Sequence, residues 1–264
     1  MEFSMNNLTP KMIDFLSRPL AVEPTRLLPA TVAWSEDDGP RWGLKVEAPD
    51  VNGVVAVKAY GVIAPDALSA EALADAVCGA AAMGECKAVA LFLDSPGGMV
   101  DGVEDAAARI AAVDKPVVAH TSALLCSAAY WLASGADAIL AATSAEVGSI
   151  GVFCPMMDFS AAFAEMGIGV ELAKTGPLKG MGFPGTQWTD AQKAHMQQMV
   201  EDVFEGFKGA VKSSRPDVAD EALTGGAYMA ARAEKLGLAD AVADRTGAMG
   251  VAASLAAAKQ ILNQ

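Results

Sequence analysis

An α/β fold with a mostly parallel sheet is what this sequence predicts, on three observations. From residue 54 onward, short apolar runs rich in Val, Leu and Ile alternate with alanine-rich stretches of helical period. The chain has 264 residues, 53% of them apolar but only 6% aromatic, a mix suited to small-residue helices packed closely on a sheet. Glycine-rich or serine-bearing turns stand just after two of the apolar runs, where parallel sheets carry their chemistry.

The first fifty residues read as an irregular N-terminal arm, punctuated by Pro10, Pro19, Pro24, Pro29, Pro40 and Pro49. A single α/β domain, the one that carries the candidate chemistry, is expected over 51–245 and a C-terminal helix over 246–264. Within the domain, 54–63 reads as a strand and 66–83 as an alanine-rich helix. Buried strands follow at 88–93 and 117–120, with a helix at 100–113 between them. A helix at 127–134 and short strands at 138–141 and near 150–153 come next. A helix from 158 to 166, a strand at 169–172 and a long helix at 189–213 complete the middle of the chain. That long helix is capped by Thr189 and striped by Met196, Met199, Val200, Val203, Phe204 and Phe207. A last short helix is expected at 229–236.

Composition excludes several classes of function. A formal net charge of −13 disfavours a nucleic-acid binder, which needs a basic face. The four cysteines, Cys78, Cys86, Cys126 and Cys154, have neither metal-ligand nor disulfide-scaffold spacing, so no metal and no cofactor is expected, and free thiols fit the cytoplasm. No signal peptide is expected, because residues 1–18 are broken by Asn6, Asn7, Lys11 and Asp14. The uncharged segment 116–136 is long enough to cross a bilayer, but His120, Thr121, Ser122, Ser127, Ser134 and Gly135 interrupt it. A strand followed by a small-residue helix is the expectation there, with no membrane span.

The chemistry centres on Ser127, which lies in Cys126-Ser127-Ala128-Ala129-Tyr130-Trp131 and is followed 52 positions later by Lys179. A serine hydroxyl is a poor nucleophile unless a neighbour takes its proton. The chain's two histidines, His120 and His195, both lie outside the stretch that holds the other candidates. A lysine kept neutral in a dry pocket can act instead, so the pair reads as a Ser–Lys dyad. Taken singly, Ser127 is equally a helix N-cap and Lys179 equally a solvated loop lysine. Asp94-Ser95-Pro96-Gly97-Gly98 is either an ordinary β–α turn or a donor of backbone N–H groups to an oxyanion. Gly148-Ser149-Ile150-Gly151-Val152 is either a turn or the source of a hydroxyl that orients the lysine.

Together these motifs resemble the signal peptide peptidase A family of serine peptidases, relatives of the Clp protease and crotonase folds built from repeated β-β-α units. The resemblance covers roughly residues 54–243, with Ser149 standing 22 positions after Ser127. The run Thr224-Gly225-Gly226-Ala227-Tyr228 and the stretch from Ala233 to Asp240 look like the family's C-terminal signature. The resemblance implies Ser127 as nucleophile, Lys179 as general base and Ser149 as its orienting partner. It also implies an oxyanion hole of backbone N–H groups from Gly97 or Gly98 and from Ala128. Ala128-Ala129 replaces the Gly-Gly usual in cellular members, and Lys174 is a competing base outside the matched register. The Ser-Ala-Ala-Tyr-Trp version and the opening Phe15-Leu16-Ser17-Arg18-Pro19-Leu20-Ala21-Val22 look most like phage and prophage head-maturation (capsid assembly) proteases. The expected activity is therefore ATP-independent cleavage of capsid scaffold or prohead proteins by a homo-oligomer, in the host cytoplasm or prohead. The alternatives are a cytosolic peptidase for signal-peptide remnants and an inactive structural capsid-assembly paralogue.

Overall fold

The computed structural model describes residues 20–22 and 42–262. Most of the expected N-terminal arm, including most of the motif at 15–22, lies outside the described residues. The chain divides into two compact units. One joins Met1–Leu20 to Val152–Glu205, and the other joins Ala21–Gly151 to Gly206–Gln264.

The larger unit is built on a six-stranded sheet. Its strands are β2 (Gly43–Val46), β3 (Val54–Tyr60), β4 (Ala88–Asp94), β6 (Val117–Thr121), β8 (Ala138–Ala141) and β11 (Ala241–Val242). They lie in the order β11-β8-β6-β4-β3-β2. Every pair is parallel except β2 with β3. The expected α/β class with a parallel sheet is what forms. Central strands such as β4, with the run Ala-Val-Ala-Leu-Phe-Leu, are buried on both faces, so they show no polar alternation.

A second layer of short strands runs alongside: β5 (Gly97–Met99), β7 (Leu124–Cys126), β9 (Glu146–Gly148) and β10 (Ala227–Met229). β7 pairs with β9 in parallel, and β9 with β10 in antiparallel fashion. Each sheet strand from β4 to β8 is followed at once by one of these. Helices α2 (Val103–Ala111) and α3 (Ala128–Ala133) then follow β5 and β7, which is the repeated β-β-α unit expected from the resemblance. β3 leads to an isolated bridge at Ile63 and then to α1 (Ala70–Ala82). The Ser69 hydroxyl caps α1 by accepting from the Ala72 N–H at 3.1 Å.

The short helix expected at 229–236 forms as α6 (Ala230–Lys235), and the C-terminal helix α7 (Arg245–Leu262) belongs to this unit's core. Its Ala248, Ala252 and Ala256 recur every four residues, so they share one face. That face packs against Val54, Ala56, Ala88, Ala90, Phe92, Val118, Ala138 and Leu140 on the sheet. Among the described residues no helix is long and apolar enough to cross a membrane. The uncharged segment 116–136 instead forms β6, β7 and α3.

The smaller unit holds Leu20, the first residue of β1 (Leu20–Val22), which exchanges two backbone hydrogen bonds with Phe153, and α4 (Ser160–Glu165). The long helix α5 (Asp190–Ser214) starts here. Thr189 and Gln192 form a capping box at its start: the Thr189 hydroxyl accepts from the Gln192 N–H at 3.3 Å, and the Gln192 side chain accepts from the Thr189 N–H at 3.1 Å. Of the expected stripe on α5, Met196 and Phe207 are buried and Met199, Val200, Val203 and Phe204 half-buried. Two expectations fail. The strand expected near 150–153 lies at 146–148, and 169–172 forms no strand: it opens on Gly169, and none of its side chains is buried. Gly43–Val46, placed by sequence in the irregular arm, is an edge strand whose Lys45 and Glu47 face water with Lys58 beside them.

Candidate active site

Ser127 follows the last residue of β7, and Ser149 follows the last residue of β9. The ends of these parallel strands, Cys126 and Gly148, are register partners, so the topology sets the two serines side by side. Both are buried, Ser127 fully and Ser149 with 3% exposure. They are also the only non-glycine residues at positive φ among the described residues, at 56° and 52°. An L-residue avoids this region because its Cβ crowds the backbone, and such strain concentrates at functional sites.

Backbone hydrogen bonds hold the strain in place. The Ser127 N–H donates to the Gly148 carbonyl and the Ser149 N–H to the Gly226 carbonyl, both at 2.7 Å. The Thr224–Tyr228 signature is thereby explained: it supplies the carbonyl that fixes Ser149 and the edge strand β10 beside it. The later signature anchors α3 and β8. The Leu238 carbonyl accepts from the Tyr130 hydroxyl at 3.0 Å, and Asp240 accepts from the Ile139 N–H at 2.7 Å.

Ser127 occupies the N-cap position of α3 but makes no side-chain cap bond. Its hydroxyl instead points to the Gly151 carbonyl, at 3.4 Å. Ser127 therefore does not act as a side-chain cap, which would accept from a backbone N–H of the first turn. Ala128 is the first residue of the helix, a position whose N–H has no intrahelical acceptor. In the Ser95–Gly98 turn, the buried Ser95 hydroxyl accepts from the Gly97 N–H at 3.1 Å. Gly98 is pressed against Ile63, where an added Cβ would overlap the Ile63 carbonyl. The Gly97 donor is therefore engaged, which favours Gly98 of the two oxyanion candidates.

Ser127, Ser149, Gly97, Gly98 and Ala128 thus belong to one unit. Lys179 belongs to the other, on an exposed turn between α4 and α5. The dry surroundings expected for it are not supplied by the described residues of its own unit. Lys174 is exposed as well and donates to the Pro177 carbonyl at 3.3 Å.

Neither histidine offers a base. His195 is exposed on α5, while His120 is buried with its Nε2 3.1 Å from the Ala243 carbonyl and its ring edge-on to Phe92. Burial pushes the His120 imidazole below its usual range, against the weaker upward pulls of that carbonyl and of Asp94. Burial likewise pushes the Tyr130 phenol well above its usual value. Sequence reasoning quoted Asp94 within its motif but missed its role as a hydrogen-bond hub; an acidic residue at a strand end just before a glycine turn was the available signal.

A buried serine held at positive φ between a strand and a helix, in the same unit as a glycine-rich strand-end turn, is an arrangement that acyl-transfer hydrolases use. Residues 109–259 match peptidase family S49, and the chain belongs to that family. It is 28% identical to Protease 4 of Salmonella typhi, over 95% of this chain and 43% of that protein. It is 34% identical to Capsid assembly protease C of Escherichia phage lambda, over 47% of this chain and 29% of that protein. The chain spans about half or less of the length of these curated relatives. A solved enoyl-CoA hydratase/isomerase family member aligns with a TM-score of 0.45 at 18% identity, over 81% of this chain and 75% of the other.

Proposed function

We propose that the protein is a serine endopeptidase in which Ser127 is the nucleophile and Lys179 the general base. The observation that carries this reading is the pairing of Ser127 and Ser149 as the two strained, buried serines at in-register strand ends of an S49 chain. The Ser127 hydroxyl adds to the scissile carbonyl as its proton passes to the Lys179 amine. The developing oxyanion is met by the N–H groups of Gly98 and Ala128, and Ser149 orients the amine. The amine then returns the proton to the leaving nitrogen, and water hydrolyses the acyl-enzyme. Lys179 is exposed in its own unit, so in this reading the bound polypeptide displaces water from that turn. No Walker sequence is present, so substrates enter extended and without ATP, and the small residues around Ser127 favour Ala, Gly or Ser before the cut bond.

The setting proposed is capsid maturation, with scaffold or prohead proteins as substrates and a homo-oligomer in the cytoplasm as the working form. The relationship to Protease 4 over nearly the whole chain favours a second reading, a cytosolic peptidase for signal-peptide remnants.

Labelling with a serine-reactive fluorophosphonate, read by mass spectrometry, tests the chemistry. The adduct is expected on Ser127, with labelling and peptide cleavage lost in Ser127→Ala and Lys179→Ala but retained in Lys174→Ala. An intact protein that never labels is the inactive structural paralogue instead. Side-by-side digestion of a purified scaffold protein and a detergent-solubilised signal peptide separates the two settings.

A further inference from the structure

We infer that Asp94 is a positioning residue that sets the spacing between the nucleophile and the oxyanion donor by locking together the two loops that carry them. The inference rests on the peptidase reading above and assigns a part to a side chain outside the catalytic group.

Asp94 ends β4, directly before the turn that presents Gly98. Its Oδ1 accepts three hydrogen bonds from the turn that leads into β7 and Ser127. The donors are the Thr121 hydroxyl at 2.7 Å and the N–H groups of Ser122 and Ala123, both at 2.8 Å. The next residue continues the seam: the Ser95 N–H donates to the Leu124 carbonyl at 2.7 Å, and the Cys126 N–H donates to the Ser95 carbonyl at 3.2 Å. The Ser95 hydroxyl then holds the Gly97 N–H. Asp94 Oδ2 faces Arg245 of α7 at 3.4 Å, and that guanidinium also donates to the Ser122 hydroxyl at 3.1 Å and lies over the Phe92 ring.

The consequence is geometric. A positive φ at Ser127 persists only while the chain entering it cannot relax. The Gly148 carbonyl fixes Ser127 from one side, and the Asp94 carboxylate fixes the turn that feeds β7 from the other. One oxygen taking three donors is hard to replace with water, since each donor would need its own partner. The acceptor geometry of Oδ1 is what matters, so an amide oxygen should serve nearly as well as the carboxylate.

The test compares wild type, Asp94→Ala, Asp94→Asn and Thr121→Val as full-length protein, with folded fraction read from urea unfolding. A fluorophosphonate reports the geometry. The Ser127 oxygen forms a bond to phosphorus as the P–F bond breaks, fluoride leaves, the hydroxyl proton goes to the base, and the phosphoryl oxygen takes the oxyanion position. Asp94→Ala should label about ten- to a hundredfold more slowly per folded molecule, as misplacement of a reacting group predicts, with kcat reduced and KM unchanged. Asp94→Asn should label within about threefold of wild type, and Thr121→Val about threefold more slowly, the scale of one hydrogen bond.

Wild-type rates in folded Asp94→Ala overturn the inference, as does Asp94→Asn as slow as the alanine variant. If Asp94→Ala does not fold, an unchanged rate in Thr121→Val overturns it. Absence of labelling in wild type removes the peptidase reading itself, and this inference with it.

Discussion

Replacing Ser127 by glycine should abolish activity and yet leave the protein more stable than replacing it by alanine. Both variants lose the same hydroxyl and its long contact to the Gly151 carbonyl, so the comparison isolates the backbone. At φ 56° and ψ −122° an L-residue bears a strain of about 1–3 kcal/mol. Glycine sheds that strain but costs about 0.5–1 kcal/mol in backbone entropy. The glycine variant should therefore exceed the alanine variant by about 0–2.5 kcal/mol, each kcal/mol raising Tm by roughly 2–4 °C at this size. Ala108→Gly on the exposed face of α2 is the control, because there glycine should cost about 1 kcal/mol. Urea unfolding followed by tryptophan fluorescence gives both differences, with the slope m unchanged between variants. A Ser127→Gly protein less stable than Ser127→Ala would refute the argument that the nucleophile is held under strain.

Further outcomes follow from the same geometry. Gly98→Ala should lower stability by about 1–3 kcal/mol, because the new methyl meets the Ile63 backbone and no flexible side chain can yield; an unchanged urea midpoint would contradict it. Burial lowers the His120 pKa, so below the ordinary histidine value of about 6.5 the unfolded chain binds the extra proton and the fold loses stability as pH falls through the lowered value. His120→Leu should flatten that part of a stability profile measured from about pH 8 down to about pH 5. Tyr130→Phe leaves the buried Leu238 carbonyl unpaired and should cost about 1–3 kcal/mol by urea unfolding. Because burial raises the Tyr130 pKa, the unfolded chain gives up its phenol proton first, and the variant should lose less stability than wild type above about pH 10.

The sheet was legible because its strands are long apolar runs: Ala138–Ala141 falls where the sequence put it, and Ala88–Asp94 and Val117–Thr121 each extend the expected strand by one residue. The second layer was not, because Gly97–Met99, Leu124–Cys126 and Glu146–Gly148 are three residues each, too short to show a period of two. Those short strands, however, are what place Ser127 beside Ser149. Sequence spacing picked out both serines, but a capping serine and a nucleophile occupy the same place before a helix. The direction of its hydroxyl shows that Ser127 makes no cap bond. For Lys179, spacing said nothing of surroundings, and its exposure turns attention to the substrate as the agent that excludes water.

The alanine face of α7 against the alanines of the sheet has a consequence for how this protein tolerates change. Layers that meet through methyl groups lie close, and each contact has little volume to lose. Trimming such a residue opens almost no cavity, whereas adding a branched side chain at Ala252 would wedge the helix away from β4 and β6 and open a gap along its length. Most hydrophobic interiors are hurt more by truncation than by enlargement; this one should show the reverse bias, and a saturation scan of Ala248, Ala252 and Ala256 would register it as tolerance of glycine or serine with rejection of leucine and phenylalanine.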